Sequence, residues 1–299
     1  MLSKSCGNAF RNSIRPVNGV TAHAAEQARK PLQAWSLPKD AVGNIALPSR
    51  WPEQVTRDWA WGGATGKGVR VCILDSGVDG AHPLVGELES AVTVSLDEDE
   101  KLVVEEDSEG DLAGHGTACA GIVRALAPEC ELVSVRVLGE DYKGSGKVLM
   151  AGLRWAIEQG FDVINMSLST TKQDFAGLLH ELADSAYFRR TTLVASAHNM
   201  PVESFPWRFS SVISVGSHEH DDPFVYYYNP DPPVEFFGRG LEVDVAWLEG
   251  STLRCTGNSF ATPHVSGLCA LILSKHPGLA PFQLKSVLAL TANNVDAES

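Results

Sequence analysis

Short apolar runs alternate with helical patterns along most of this 299-residue chain, and this alternation constrains the fold more than any other feature. The predicted buried strands are centred on Val71, Val135, Ile164, Val194 and Ile213. The clearest helical patterns between them span residues 148–159 and 178–187. Strands that alternate with helices form a parallel sheet with right-handed crossovers and helices on both faces. The sequence therefore predicts an α/β fold with a three-layer, doubly wound, mostly parallel sheet.

The length of the chain suits one large domain with a short extension. We expect residues 1–50 to form an N-terminal extension, with a helix over 24–35, and residues 51–299 to form the main domain. Hydrophobic residues make up 44% of the chain, which is enough for a large core. The role of the extension stays open between a pro-segment, a docking arm and a tail.

The formal net charge of −13 argues against partners that carry negative charge, so we expect neither nucleic acid nor a membrane surface as a partner. No apolar run approaches the length of a transmembrane helix. The first nineteen residues lack the continuous apolar stretch of a secretory signal, which favours a cytoplasmic protein. The same segment is basic, and Glu26 is the first acidic residue, so an organelle transit peptide is a minor alternative.

The six cysteines lie in places that argue against a disulfide framework. Cys72 falls in the first predicted strand, and Cys119 and Cys269 fall on predicted helices. Cysteines in such apolar surroundings behave as small buried hydrophobes, which is typical of a reducing compartment.

A serine lies between a turn signal and a long apolar helix in the run Gly-Asn-Ser-Phe-Ala-Thr-Pro, residues 257–263. This layout places the Ser259 hydroxyl at the first turn of a buried helix. Free backbone N–H groups and the positive end of the helix dipole favour an oxygen that develops negative charge there. Alone, the same serine could be a helix N-cap. As a nucleophile it needs a histidine base and a carboxylate that orients the histidine.

Both partners occur in motifs of their own. Asp75 ends the strand centred on Val71, where parallel strands deliver polar residues. His115 lies between two glycines at the start of a small-residue helix, and the glycines let backbone and substrate approach its ring closely. A turn cap for the aspartate and a structural role for the histidine are the alternatives. The chain order Asp, His, Ser matches one of the known arrangements of a catalytic triad.

With these motifs in this order, the chain resembles the subtilisin-like serine proteases, or subtilases, over about residues 51–293. Further matching motifs are Asp-Ser-Gly-Val-Asp at 75–79, His-Pro at 82–83, Val-Ile-Asn-Met-Ser-Leu at 163–168, Pro-His-Val at 263–265 and the segment 270–277. The resemblance implies a subtilisin-like sheet and a serine endopeptidase that acts on peptide or protein substrates through an acyl-enzyme. The triad would be Asp75, His115 and Ser259.

The resemblance also implies roles for residues outside the triad. Asn199 matches the family's side-chain donor to the oxyanion; the alternative is a turn asparagine with a positive φ. Extended substrates of the family pair as an added strand between two segments. Here one edge is Gly144, Ser145 and Gly146, and the other is Ser167, Leu168 and Ser169.

Several positions depart from the family pattern. His198 and Asn258 replace the usual glycine and threonine, and Ser169 and Thr170 replace a glycine-rich wall. These departures, together with the end of the chain soon after Asn293, leave a second hypothesis open: a catalytically weak or inactive subtilase-fold binding protein. An active enzyme could be a general intracellular protease or a dedicated processor of peptide precursors.

The family's high-affinity calcium site is predicted to be absent, and no other metal or cofactor is expected. Calcium binds six or more oxygen ligands. The segment 121–128 runs on with no room for the usual ligand loop, and Leu84 stands where the family has an acidic ligand.

Residues 87–111 contain eleven acidic residues and one lysine. The simpler interpretation is a solvated loop. The alternative is a negative rim near His115 that attracts basic substrates, and Glu203 is a further candidate for a carboxylate in the specificity pocket.

Overall fold

The computed structural model describes residues 36–45 and 51–295 of the chain. The chain divides into two units, Met1–Leu47 and Pro48–Ser299. In the described part of the first unit, Lys39–Asn44 form a 3-10 helix. The helix predicted over 24–35 lies outside the described residues.

The second unit alternates strands and helices along most of its length. Its strands are β1 (Arg70–Asp75), β2 (Ser90–Leu96), β3 (Leu102–Glu106), β4 (Glu131–Arg136), β5 (Val163–Met166), β6 (Thr192–Ser196), β7 (Val212–His218), β8 (Tyr227–Tyr228), β9 (Phe236–Arg239), β10 (Val243–Ala246) and β11 (Thr252–Cys255). Its helices are α1 (Arg57–Trp61), α2 (His115–Leu126), α3 (Gly146–Gln159), α4 (Ala176–Phe188), α5 (Asn258–Lys275) and α6 (Pro281–Leu290). Short 3-10 helices cover Gln173–Phe175 and Leu248–Gly250.

Nine strands form one sheet in the order β3-β2-β4-β1-β5-β6-β7-β9-β8. The seven strands from β2 to β9 in this order pair in parallel, and β3 and β8 close the two edges in antiparallel pairs. A separate antiparallel hairpin joins β10 to β11. The predicted doubly wound, mostly parallel sheet is therefore confirmed.

Both faces of the central strands are buried under helices. In β1, Val71 and Ile73 pack into one apolar cluster with residues of α2, α5 and α6. Cys72 and Leu74 point to the opposite face and pack with residues of α3 and α4. Because successive strand side chains alternate between faces, a strand covered on both sides needs a continuous apolar run. This confirms the three-layer arrangement, and the helices at 148–159 and 178–187 correspond to α3 and α4.

Helix α5 is the most enclosed element of the fold. Every residue from Phe260 to Leu273 is buried, and the helix contacts β5, β6, β7, β9 and α2. A helix that is surrounded on all sides is apolar around its whole circumference, which explains its composition. Among the described residues, none of the helices combines the length and apolarity needed to cross a bilayer.

The structure of the acidic stretch at residues 87–111 differs from one expectation. Residues 90–106 form the hairpin of β2 and β3 at the sheet edge, with Val94 opposite Val104, so the solvated-loop interpretation is wrong for the two strands and right only for the exposed turn at 97–101. An edge strand keeps one side and often one face in water, and charged side chains there protect it from pairing with other chains. The sequence pattern of such a strand is therefore weak.

Candidate active site

The candidate catalytic residues lie at or just after the carboxyl ends of central strands, or in the first turns of helices. Asp75 is the last residue of β1, and Asn199 lies just beyond the end of β6. His115 is the first residue of α2, and Ser259 lies in the first turn of α5. Parallel strands present their carboxyl ends at one edge of the sheet, where ligands bind in folds of this kind.

A short hydrogen bond joins the first two candidates. His115 Nδ1 lies 2.8 Å from Asp75 Oδ1, and the same oxygen accepts the Ser76 N–H at 2.8 Å. The Asp75 side chain is fully buried, while that of His115 is 14% exposed. A carboxylate at Nδ1 holds the proton on that nitrogen and leaves Nε2 with the lone pair of a general base.

The surroundings of His115 set the direction of its pKa. Burial lowers the pKa, but the charge of Asp75, its hydrogen bond and the charge of Asp111 outweigh the burial and raise the pKa above its ordinary value. The negative groups therefore favour the imidazolium, which is the form that appears after the ring accepts a proton.

Pro263 explains how the backbone of Ser259 is held. A proline has no N–H, so the Ser259 carbonyl lacks its normal helical partner four residues later. The Ser167 hydroxyl donates to that carbonyl at 2.7 Å, and the Cys119 thiol donates to it at 3.7 Å. The freed carbonyl thus ties the first turn of α5 to the end of β5 and to α2.

A buried polar network continues behind this contact. The Asn165 amide donates to the Ser167 hydroxyl at 3.0 Å, and its oxygen accepts the Ser266 hydroxyl at 2.9 Å. Asn165 is fully buried in β5, with Ile164 and Met166 as apolar neighbours. No role is predicted for Asn165 from the sequence, although an asparagine inside an otherwise apolar strand is a usable signal.

Asn199 and Ser259 face the same small volume. A Cβ on Gly257 would lie 3.3 Å from the Ser259 Oγ and 3.4 Å from the Asn199 Nδ2. The Asn199 Oδ1 accepts the Asn258 N–H at 2.9 Å, which turns the Nδ2 donor away from that contact. A side chain at position 257 would therefore crowd both the hydroxyl and the amide donor.

Asn258 forms hydrogen bonds that stabilise the turn containing Asn199. Its Oδ1 accepts the Ser217 hydroxyl at 2.7 Å, and its Nδ2 donates to the carbonyls of Ala197 and His198 at 3.2 and 3.4 Å. The His198 ring accepts the Met200 N–H at 3.0 Å, so it folds back onto its own loop. The unusual residues at 198 and 258 therefore have defined partners on either side of Asn199.

Asp111 organises the entry to α2, a role that the sequence analysis missed. Its two oxygens accept five hydrogen bonds, from the Ser76 hydroxyl, the Ala113 and Gly114 N–H groups, and the N–H and hydroxyl of Thr117. Their lengths run from 2.6 to 2.9 Å. This carboxylate is committed to holding the loop before His115 and is not part of a free acidic rim.

The carboxylate of Asp107 is also paired within the protein. It is almost fully buried and binds the Arg136 guanidinium through both oxygens, at 2.9 and 3.0 Å. Glu109 binds the same guanidinium at 2.7 Å. The acidic residues that remain exposed near the hairpin include Glu98, Glu105 and Glu106.

The two predicted substrate edges follow the strands on either side of β1. Ser145 caps α3 by accepting the Lys147 N–H at 3.2 Å, between Gly144 and Gly146 on the β4 side. On the other side, Leu168 and Ser169 lie between the end of β5 and the backbone bridge that joins Thr170 to Phe205. The Ser167 hydroxyl is already used by the Ser259 carbonyl, so Ser167 can offer a substrate only its backbone.

The carboxylate of Glu203 is paired within the protein. It binds the Arg208 guanidinium at 2.7 Å and accepts the Gln173 amide at 3.3 Å. A carboxylate neutralised by a neighbouring arginine attracts a cationic substrate only weakly.

Two segments bear on the prediction that a calcium site is absent. Helix α2 runs without interruption to Leu126, and Leu84, whose side chain has no oxygen to offer a metal ion, is exposed. Nearby backbone carbonyls are taken by the Arg124 guanidinium. It donates to those of Val85, Glu87, Pro128 and Cys130 at 2.7 to 3.0 Å. A fixed cation of the protein therefore occupies oxygens of the kind that would bind a metal ion.

A doubly wound sheet with an Asp–His pair, a serine and an amide donor at the carboxyl ends of its strands defines an enzyme of the serine hydrolase class. The sequence profile of the subtilase family matches residues 66–299. The chain therefore belongs to the subtilase family, and it is a serine endopeptidase of the subtilisin type.

Individual relatives agree with this assignment. The chain is 31% identical to subtilisin DY of Bacillus licheniformis over 248 residues, covering 78% of this chain and 86% of the relative. It is 30% identical to subtilisin BL of Lederbergia lenta over 244 residues, with the same coverage. The solved structure of a cold-adapted subtilisin-like serine proteinase matches with a TM-score of 0.64 and 28% identity, covering 78% of this chain and 86% of that one.

Proposed function

We propose that the chain cleaves peptide bonds through a triad of Asp75, His115 and Ser259. The observations that carry the proposal are the 2.8 Å Asp75–His115 hydrogen bond and the shared volume in which the Ser259 hydroxyl and the Asn199 amide lie. In this mechanism Ser259 Oγ attacks the scissile carbonyl while His115 Nε2 takes its proton. Asp75 holds the ring and stabilises the imidazolium.

The oxyanion would be stabilised by the Asn199 Nδ2 and the Ser259 N–H. The latter is one of the N–H groups that lack an intrahelical partner at the start of α5. Collapse of the tetrahedral intermediate passes the proton from His115 to the leaving amine and leaves an acyl group on Ser259. Water, with His115 again as the base, releases the acid and restores the hydroxyl.

A fluorophosphonate probe tests this assignment directly. The expected result is labelling at Ser259 in the wild type and none in Ser259→Ala, with casein cleavage lost in the same variant. Ser210→Ala, at an exposed serine away from the site, serves as the matched control. It should keep both the labelling of Ser259 and the cleavage of casein. Folded protein that is not labelled would instead support the second hypothesis, a subtilase-fold binding protein without turnover.

We further propose that the enzyme is a dedicated processor of peptide precursors rather than a general protease. Side chains occupy wall positions where the family pattern has glycine, at His198 and at Ser169 and Thr170. Such side chains restrict which residues fit along an extended substrate. Digestion of a denatured whole-proteome peptide mixture should give cuts at a small set of related sequences, whereas cuts after many residue types would indicate a general protease.

A preference for basic peptides is the third part of the proposal. It is supported by the net charge of −13 and by the exposed carboxylates Glu98, Glu105 and Glu106. Strand β3 lies three strands from β1, about 14 Å at ordinary strand spacing, which exceeds the Debye length of about 8 Å at physiological salt. Matched Lys and Glu peptides should therefore differ in kcat/KM at low salt and converge at high salt. Equal kcat/KM values for the two peptides at low salt would refute the proposed preference.

We also propose a calcium-independent, cytoplasmic enzyme. The Arg124 contacts support the first point, and the free state of Cys72, Cys119, Cys130, Cys255 and Cys269 supports the second. Cell fractionation with an antibody tests the location, and recovery with an organelle would favour the transit-peptide alternative.

A further inference from the structure

Tyr142 stands out near the site because its conformation is strained while its ring is half exposed. Its φ is +59°, in the left-handed region that residues other than glycine rarely adopt, and 51% of its surface is exposed. The turn around it is closed by two backbone bonds, from the Tyr142 N–H to Gly139 and from the Gly139 N–H to Lys143, at 3.1 and 3.0 Å. In this region the Cβ atom lies close to the following carbonyl oxygen, so other contacts must stabilise a tyrosine there.

Two contacts hold the ring over the site. The Tyr142 hydroxyl donates to the Ala113 carbonyl at 3.0 Å, in the loop that enters α2. The ring meets the His115 imidazole edge to face, with centroids 6.1 Å apart and an angle of 84° between the planes. Tyr142 therefore spans from the turn before the Gly144 edge to the base itself.

The sheet order indicates which part of a substrate meets this ring. The edges at Gly144 and Leu168 follow β4 and β5, so an extended substrate between them runs above the end of β1. A scissile carbonyl at the Ser259 hydroxyl, with its oxygen bound by the Asn199 amide, places the residue that carries it on the Asn199 side of the site. Side chains of an extended strand alternate, so the residue before it points to the opposite side, where His115 and Tyr142 lie.

We propose that Tyr142 is a specificity-determining residue that forms the wall of this second subsite. The ring fills space above His115 and so restricts the residue before the scissile one to small side chains such as glycine and alanine. A bulky side chain there has to displace the ring and break its hydrogen bond to Ala113. This inference rests on the proposed function of the same site and names the substrate class that it accepts.

The test uses two peptides that differ only in having alanine or leucine before the scissile residue. The wild type should favour the alanine peptide by ~10-fold to 100-fold in kcat/KM, the range that a hydrophobic size mismatch produces. Tyr142→Gly removes the wall, and glycine accepts the positive φ, so the variant should fold with an unchanged melting transition. The Tyr142→Gly variant should reduce the preference for the alanine peptide to ~3-fold or less, mainly through a lower KM for the leucine peptide. Tyr142→Phe keeps the ring and should retain most of the preference.

A binding measurement separates this inference from the proposed reaction. The same peptides are titrated against Ser259→Ala and against Ser259→Ala with Tyr142→Gly. A preference for alanine that depends on Tyr142 in these inactive proteins supports the subsite even if the wild type turns over neither peptide. A wild type that cleaves both peptides equally, or a preference that survives Tyr142→Gly, overturns the inference while leaving the labelling of Ser259 untouched.

Discussion

Replacing Arg124 by methionine removes a cation but keeps the length of the side chain. Four backbone carbonyls, those of Val85, Glu87, Pro128 and Cys130, then lose the guanidinium N–H groups that now bind them at 2.7 to 3.0 Å. A hydrogen bond to a charged group contributes about 1.5–3 kcal/mol when it is well buried. Arg124 is only partly buried and water can replace part of each contact, so we expect a loss of about 3 kcal/mol in the free energy of unfolding.

The measurement is urea and thermal unfolding in the Ser259→Ala background, which prevents self-digestion. For a domain of this size, a loss of that magnitude lowers Tm by about 6–12 °C. Arg154→Met, at an exposed arginine of α3, is the matched control and should change the free energy of unfolding by less than about 0.5 kcal/mol. Calcium should not restore the Arg124→Met protein, because Leu84 supplies no carboxylate.

Two results would refute this reasoning. A loss below about 1 kcal/mol would mean that the four carbonyls are equally well satisfied by water. A wild-type protein that loses many degrees of Tm in EDTA and regains them with calcium would reveal a metal site that Arg124 does not replace.

Three further predictions concern residues around the site. Asn199→Ala should lower kcat by about 10²–10³-fold with little change in KM, since the donor acts on the transition state; an equal rise in KM would contradict that role. Asp111→Asn removes a negative charge that raises the pKa of His115, so the acidic limb of kcat/KM should move to lower pH; a limb that stays in place would contradict this. Asn165→Ala should destabilise the Ser259→Ala protein by about 2–4 kcal/mol in urea, because the Ser167 and Ser266 hydroxyls lose a buried partner.

The parts of the fold that the sequence predicts well are the fully buried strands. Val71, Val135, Ile164, Val194 and Ile213 all lie in central parallel strands. A strand that is covered on both faces is apolar over most of its length, so its pattern is strong once flanking turns set its length.

The hairpin of β2 and β3 was missed for the opposite reason. Its outer strand runs Leu-Val-Val-Glu-Glu, with only partial burial of the two valines, and it lies at the sheet edge. Edge pairing depends on backbone hydrogen bonds, which leave little trace in the order of side chains.

In the candidate active site, the sequence predicts which residues take part better than it predicts the hydrogen bonds that they form. The motifs place Asp75 and His115 near each other, and the structure brings them to 2.8 Å. The roles of Asp111 and Arg124 depend on hydrogen bonds across loops, to groups whose positions are fixed only by the folded chain. An acidic residue in an acidic stretch carries no pattern that distinguishes a structural carboxylate from a solvated one.

The enclosure of α5 determines when during synthesis the protein can become active. This helix is buried against strands of the central sheet, yet it is among the last elements along the chain, after every strand that it contacts. Strands β5, β6 and β7 therefore leave the ribosome with one face still open to water, and chains in this state are prone to aggregation. Because Ser259 belongs to the same helix, the proposed nucleophile arrives together with the helix that closes the core. Under this proposal, a chain that has not yet added α5 cannot cut its neighbours.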